Sequence, residues 1–130
     1  MHFIFGGRCM GKLEYAQSLL PNPTVRDLAR EGGEAVFHSD IVTGVHLLVR
    51  QIMLEGGNPL EYFRENMHRF SGCILIGDEV GSGIVPVDAF EREWRDEVGR
   101  VYQLLSAKAD DVTRVWSGIP QKLKRGGVPV

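Results

Sequence analysis

Short blocks of apolar positions, separated by glycines and prolines, are the main pattern of the chain. The apolar run at residues 2–5 stops at Gly6 and predicts a buried strand. Residues 11–20 then place apolar side chains at helical spacing until two prolines follow, which predicts a helix. A continuous apolar run at 73–76 lies between two glycines, as is typical of a strand covered on both faces.

The remaining blocks predict an alternation of helices and strands. The other predicted elements are a helical turn within 25–30, a strand at 35–39, helices at 41–54, 59–69 and 88–109, and a strand at 111–116. Residues 81–86 are predicted to form a loop, and the tail from 122 to 130 is predicted to be frayed. Strands that alternate with helices predict an α/β fold with a mostly parallel sheet. We expect residues 1–130 to form a single domain.

The composition argues against several classes of protein. No apolar run approaches the roughly 18 residues of a membrane helix, and a net charge of −2 argues against nucleic-acid binding through bulk charge. Two cysteines and four scattered histidines indicate neither a disulfide scaffold nor a metal site, so we expect a reduced, cytoplasmic setting. Glycine makes up 16 of the 130 residues, which is more than its usual share of about 7%. This excess favours sharp turns or backbone that approaches a ligand closely.

A glycine-rich loop between the first predicted strand and helix has the spacing G-x-x-x-x-G-K of a phosphate loop. Its residues are Gly6, Gly7, Arg8, Cys9, Met10, Gly11, Lys12 and Leu13. In such a loop the backbone N–H groups surround an anion, and the lysine reaches the outer phosphates. The alternative interpretation is a plain turn that carries a solvated lysine.

The last position of this loop departs from the motif. A phosphate loop ends in Ser or Thr, whose hydroxyl ligates Mg²⁺. Leu13 stands there and cannot ligate a metal. The departure weakens the case for catalysis more than the case for binding, since the amides and Lys12 can still hold a nucleotide.

Three further stretches carry a resemblance to a known family. They are DEVGSGIVP at 78–86, REWRDEVGRVYQ at 92–103 and GIPQKLK at 118–124. Together with the GGRCMGK loop, the sequence resembles the adenosylcobinamide kinase / adenosylcobinamide-phosphate guanylyltransferase family of cobalamin biosynthesis. That family carries a GGARSGKS-like loop, a D-C-L-T strand end, an N-E-V-G-x-G-I-V-P loop and an R-x-(aromatic)-R-D-x-x-G-R-x-N-Q helix. The resemblance implies a P-loop-type three-layer domain, here reduced in size, and a propeller-shaped homotrimer.

Departures from the family pattern bear on its two activities. The segment at 21–35 is short and contains no histidine that could take up a guanylyl group, so the guanylyltransferase half is expected to be lost. Asp78 and Tyr102 stand where the family motifs carry asparagine. The kinase half is therefore the activity that we expect to remain, if either does.

Several acidic and glycine residues are candidates for the site. The resemblance places Asp40 at the family's Walker-B-type aspartate, as a Mg²⁺ ligand; the alternative is an N-cap of the following helix. Asp78 and Glu79 follow a predicted strand, where they could order Mg²⁺ or a general-base water, or could form a solvated acidic loop. Gly81 and Gly83 permit close backbone approach to a substrate, or form a plain turn.

Other polar residues are interpreted as structural. His46 and His68 lie in predicted helices without partners at ligand spacing, so we expect ordinary packing or surface positions. Arg92, Arg95 and Arg100 share the long helix, where surface ion pairs are favoured over phosphate contacts. Cys9 could be a reactive thiol in the loop, but no base lies nearby in sequence.

Two functions follow. The first is a nucleotide-binding kinase that uses Lys12, Asp40 and Glu79, with Mg²⁺ and ATP or GTP, to phosphorylate the aminopropanol hydroxyl of adenosylcobinamide. The second is a catalytically inactive relative that binds a nucleotide or corrinoid as a regulatory or partner protein. Neither involves nucleic acid or a membrane, and the resemblance implies a homo-oligomer in both.

Overall fold

The computed structural model describes residues 1–81 and 88–130. Within these ranges the strands are β1 (His2–Gly6), β2 (Val25–Asp27), β3 (Ile41–Thr43), β4 (Ile74–Asp78), β5 (Asp111–Trp116), β6 (Ile119–Arg125) and β7 (Val128–Pro129). The helices are α1 (Lys12–Ser18), α2 (Leu28–Glu31), α3 (Val45–Leu54), α4 (Pro59–Asn66) and α5 (Ala89–Lys108), with 3-10 turns at Glu34–His38 and Met67–Phe70. No helix in the described part of the chain combines the length and the apolarity that a bilayer span requires.

The strands form one sheet with the order β2-β3-β4-β1-β5-β6-β7. The first five strands in this order are parallel, and β6 and β7 continue the sheet as an antiparallel edge. This arrangement confirms the predicted α/β class with a mostly parallel sheet. Gly6 at the end of β1 pairs with Asp78 at the end of β4. The residues that follow these two strands therefore lie side by side at the carboxyl edge of the sheet.

Alternating side chains of β1 divide the core into two layers, one on each face of the sheet. Phe3 belongs to the larger apolar cluster, which includes buried residues of α3, α4 and α5. Ile4 belongs to the smaller cluster, where Ala16 of α1 packs on the opposite face. Helices therefore cover both faces of the sheet, which gives a three-layer arrangement.

The structure differs from the prediction between residues 25 and 54. The helical turn predicted within 25–30 is confirmed only in its second half, as α2, because residues 25–27 form β2; the strand predicted at 35–39 is a 3-10 turn. The helix predicted to begin at 41 is preceded by β3, because Gly44, with φ +82°, turns the chain between strand and helix. A left-handed residue of this kind divides one apolar run into two elements.

The predicted frayed tail is also wrong, because residues 119–125 and 128–129 are strands. Ser117 and Gly118 both have positive φ, as do Gly126 and Gly127. Two consecutive left-handed residues are what a tight hairpin turn needs, so each pair reverses the chain. The exposed, largely polar β6 then pairs with β5 on one side and β7 on the other.

Candidate functional site

The glycine-rich loop lies where the sequence predicts it, between the end of β1 and the start of α1. Gly11 has φ +91° and precedes Lys12, the first residue of α1. Gly6 runs so close to β5 that a Cβ there would lie 2.3 Å from the Val115 carbonyl oxygen. Only glycine fits at this point, so the start of the loop is fixed against the neighbouring strand.

The turn between β5 and β6 holds the middle of the loop. The Gly118 N–H donates a hydrogen bond of 2.8 Å to the Met10 carbonyl oxygen. The Ser117 N–H lies 3.3 Å from the Met10 sulfur. The family-like GIPQKLK stretch therefore begins at a residue that positions the glycine-rich loop.

Lys12 is almost completely buried, with 6% of its surface exposed. Its Nζ donates to the Gly7 carbonyl oxygen at 2.7 Å and forms an ion pair with Asp78 Oδ1 at 2.8 Å. The alternative interpretation of a solvated lysine is therefore wrong. The cation lies between the glycine-rich loop and the end of β4.

Asp78 is held through both its backbone and its side chain. Its N–H donates to His46 Nδ1 at 3.1 Å, and its carbonyl accepts from the Tyr102 hydroxyl at 2.6 Å. Because Nδ1 of His46 is an acceptor, the ring proton is on Nε2, which lies 3.4 Å from Asp78 Oδ2. Burial lowers the pKa of His46 and raises that of Tyr102, so both side chains stay neutral near pH 7.

His46 was predicted to be an ordinary packing or surface residue, and the structure places it in the site. It is at the first turn of α3, 32 residues before Asp78 in sequence. Trp94 of α5 donates its indole N–H to the His46 carbonyl at 2.9 Å. The sequence contains no local signal for this role, since each partner comes from a different element.

Glu79 is bound to Arg114 of β5. The two side chains form a forked pair, with Nε–Oε1 at 2.6 Å and Nη2–Oε2 at 3.1 Å. The Glu79 N–H donates to the Gly6 carbonyl at 2.8 Å, which links it to the start of the loop. The Arg114 guanidinium also lies over the Trp116 ring at 5.1 Å. Sequence reasoning missed Arg114, whose pKa is raised by its hydrogen bonds to Glu79.

Asp40 does not join the other candidates. It precedes β3, so it lies toward the amino end of that strand, whereas the loop follows the carboxyl end of β1. Its Oδ2 accepts hydrogen bonds from the N–H of Thr24 at 2.9 Å and from its hydroxyl at 3.2 Å. The alternative N-cap role is also wrong, because Gly44 is the N-cap of α3. The geometry therefore gives no support to Asp40 as a ligand for Mg²⁺ at the loop.

Two adjoining clefts open at the carboxyl edge of the sheet. The first, of about 390 Å³, is lined by the loop from Cys9 to Glu14 and by Asp27, Thr43, Gly44, His46, Leu47, Ile76 and Asp78. The second, of about 460 Å³, is lined by Arg8, His46, Leu47, Asp78, Glu79, Val80 and Trp94. Asp78 and His46 line both clefts, so ligands in the two would meet at these side chains.

The donor set for a metal in this region is small. Leu13 lines the first cleft and packs against the smaller apolar cluster. Its side chain has no oxygen that could ligate a metal. Across residues 1–81 and 88–130, no three His, Cys, Asp or Glu side chains converge as a ligand set. Asp78, at the loop, is a carboxylate suited to a Mg²⁺ ion whose other ligands are phosphate oxygens and water.

Of the two candidate glycines in the DEVGSGIVP stretch, the structure describes Gly81. Gly81 has φ +85°, the left-handed region that favours glycine, and its Cα lies close to the Arg95 side chain. Gly83 lies outside the described residues. Arg95 and Arg100 pair with the neighbouring acids Asp96 and Glu97 at the helix surface, as predicted.

Comparison with known proteins gives a family match. The model of the CobU family, described as cobinamide kinase / cobinamide phosphate guanyltransferase, matches residues 38–123. The matched range includes the strand that ends at Asp78, all of α5 and β5, and the turn that contacts Met10.

Curated relatives are similar over a shorter stretch. The bifunctional adenosylcobalamin biosynthesis protein CobU of Salmonella typhimurium is 51% identical over 51 residues, and that of Escherichia coli K12 is 49% identical over 51 residues. The bifunctional adenosylcobalamin biosynthesis protein CobP of Pseudomonas aeruginosa is 35% identical over 51 residues. These alignments cover 39% of this chain and 28%, 28% and 30% of the three relatives, so the chain matches less than a third of their length.

Proposed function

The chain belongs to the cobinamide kinase / cobinamide phosphate guanyltransferase family, and on that premise we propose that it binds ATP or GTP and phosphorylates a cobinamide. The buried Lys12, presented by a strand–loop–helix unit at the carboxyl edge of the sheet, carries this proposal. The acceptor would be the aminopropanol hydroxyl of adenosylcobinamide. Cobalamin biosynthesis is the process to which the family points.

Phosphate binding would use the loop in a defined way. The β- and γ-phosphates would occupy the first cleft, where Lys12 Nζ and the loop N–H groups offer positive charge. Mg²⁺ supplies charge neutralisation at the phosphates when it is bound, and Asp78 is the residue positioned to hold it. The protein's contribution to phosphoryl transfer is positioning and electrostatics, because the reaction needs little covalent help.

The acceptor would enter from the second cleft. This cleft shares Asp78 and His46 with the first and adds the Trp94 ring and Arg8. Glu79 is forked onto Arg114, so its role would be to position the loop through Gly6. Asp78 and His46, which line both clefts, would then face both ligands.

Replacement of Lys12 tests the proposed binding. We expect wild-type protein to bind ATP or GTP in the presence of Mg²⁺ with micromolar affinity in calorimetric titration. Lys12→Ala should weaken this affinity about 10- to 100-fold, because charge-assisted hydrogen bonds to the phosphates are lost. Lys108→Ala, which removes an exposed lysine at the end of α5, is the matched control and should bind as wild type does. Absence of saturable binding by wild type for both nucleotides would contradict the proposal.

Cys9 provides an independent readout of the same binding. Its side chain is exposed in the loop, whereas Cys73 is buried. Alkylation of the native protein should therefore modify Cys9 first, and Mg²⁺-nucleotide should slow that reaction. Lys12→Ala should lose the protection while Lys108→Ala keeps it, which distinguishes loop occupancy from binding elsewhere.

A second candidate function is a non-catalytic binding protein, and Leu13 favours it. The side chain at the metal-ligating position of the loop is apolar and packed against Ala16 and its neighbours. Transfer of the terminal phosphoryl group to adenosylcobinamide, measured by product mass, separates the candidates. Nucleotide binding without any transfer supports a regulatory or partner role.

Self-association is a further part of the proposal. Trp116, Ile119 and Val128 are 55%, 69% and 65% exposed along the antiparallel edge of the sheet. Apolar side chains at a sheet edge are protected when another chain covers them. We expect a homo-oligomer, a trimer by family resemblance, and the mass from light scattering checks this; a monomer at all concentrations would contradict it.

A further inference from the structure

The lysine of the phosphate loop already has an anionic partner inside the protein. Lys12 Nζ lies 2.8 Å from Asp78 Oδ1, and the two side chains are 7% and 27% exposed. Asp78 Oδ1 and the Gly7 carbonyl oxygen take two of the three N–H donors of Nζ, and the carboxylate neutralises the charge that a phosphate oxygen would use. Asp78 therefore competes with any phosphate for Lys12.

The backbone of Asp78 is held beside the loop. Its carbonyl is bound by the Tyr102 hydroxyl and its N–H by His46 Nδ1, and it pairs with Gly6 at the end of the sheet. The Nε2–H of His46 faces its second carboxylate oxygen at 3.4 Å. A nucleotide that entered without a cation would therefore bring its negative charge close to the Asp78 carboxylate.

A divalent cation removes this conflict. Mg²⁺ in proteins is commonly held by one or two carboxylates together with substrate phosphates. A cation between Asp78 and the phosphates would turn the repulsion into attraction and would release Lys12 Nζ to the phosphate oxygens. No second site is needed, because one carboxylate serves both states.

We propose that Asp78 makes phosphate binding in this loop depend on a divalent cation, by pairing with Lys12 when the cation is absent and with the cation when a nucleotide is bound. This inference rests on the proposed nucleotide binding. It assigns to Asp78 the metal-holding role that Leu13 cannot fill in the loop itself. Asp78 is thereby the residue that selects Mg²⁺-nucleotide over free nucleotide.

Binding of ATP and GTP with excess EDTA or with excess Mg²⁺ tests the inference, measured by calorimetry on the full chain. Wild type should bind the Mg²⁺-nucleotide at least about tenfold more tightly than the free nucleotide. Asp78→Asn keeps the shape of the side chain and removes its charge. This variant should bind free nucleotide at least about tenfold more tightly than wild type does, and the ratio between the two conditions should fall toward one.

Asp96→Asn is the matched control, since it removes one negative charge from the exposed surface of α5. It should keep the wild-type dependence on Mg²⁺. Equal affinity of wild type for free and Mg²⁺-bound nucleotide would overturn the inference while leaving the proposed nucleotide binding intact, and this result needs no variant. An unchanged Mg²⁺ ratio in folded Asp78→Asn would also overturn it. Failure of wild type and of Asp78→Asn to bind in either condition would overturn the proposed binding as well.

Discussion

Gly6→Ala is expected to destabilise the protein by at least about 3 kcal/mol, because the new methyl group would collide with backbone. Its Cβ would lie 2.3 Å from the Val115 carbonyl oxygen and 3.3 Å from the carbonyl carbon. Both residues are in neighbouring strands at the centre of the sheet, so neither can move without separating β1 from β5. A flexible side chain could turn aside, but a paired strand cannot.

Gly7→Ala is the matched control in the same loop. The nearest atom to its Cβ would be Cγ of Met10 at 3.3 Å, which belongs to a side chain that can shift. We expect this variant to lose less than about 1 kcal/mol of unfolding free energy. Urea denaturation followed by far-UV circular dichroism measures both variants. Equal stability of the two would show that the close approach of Gly6 to β5 is not what requires glycine.

Gly6 contributes both to the stability of the sheet and to the geometry of the candidate site. Its carbonyl accepts from the Glu79 N–H, and it pairs with Asp78 across the sheet. The residues that hold β1 and β4 together are therefore adjacent to those that hold Lys12 and Arg114. A change that separates these strands should disturb nucleotide binding and folding together.

The elements that sequence reasoning predicted well are those with long or doubly covered apolar patterns. The runs at 2–5 and 73–76 are β1 and β4, and the periodic stretch at 88–109 is α5. Strands β2 and β3 were missed because three residues contain too little alternation to be distinguished from a turn. The hairpin strands β6 and β7 were missed because their side chains are mostly exposed, so turn geometry at Ser117 and Gly118 forms them with little apolar signal.

The position of the glycine-rich loop between β1 and α1 could be predicted because its pattern is local in sequence, while the groups around it could not. Lys12 meets Asp78, and Asp78 meets His46, only after three elements have been brought to one edge of the sheet. Asp40 shows the converse case. Its predicted place after a strand at 35–39 looked suitable, but Asp40 precedes β3, whose direction in the parallel sheet carries it away from the loop. A sequence motif identifies the types of residue that a site needs. The direction of each strand decides whether those residues lie at the amino or the carboxyl edge of the sheet.

Phe3→Ala is expected to cost about 3–5 kcal/mol of unfolding free energy, because Phe3 is fully buried in the larger core cluster. Its ring packs edge-on against Tyr102 at 4.9 Å. The cavity would remove support from the same Tyr102 whose hydroxyl binds the Asp78 carbonyl.

Phe3→Leu keeps most of the volume and should cost less than about 1.5 kcal/mol. Chemical denaturation gives the two stabilities, and calorimetric titration of the folded variants gives their nucleotide affinities. If Phe3→Ala lost less than about 1 kcal/mol, the packing of β1 against α5 would not be what holds the core. If Phe3→Ala lost stability but kept its affinity for Mg²⁺-nucleotide, the contact between Phe3 and Tyr102 would not be needed to position Asp78. The expected loss of both would show that the core beneath β1 keeps the Asp78 carboxylate at the distance from Lys12 on which the proposed cation-dependent binding relies.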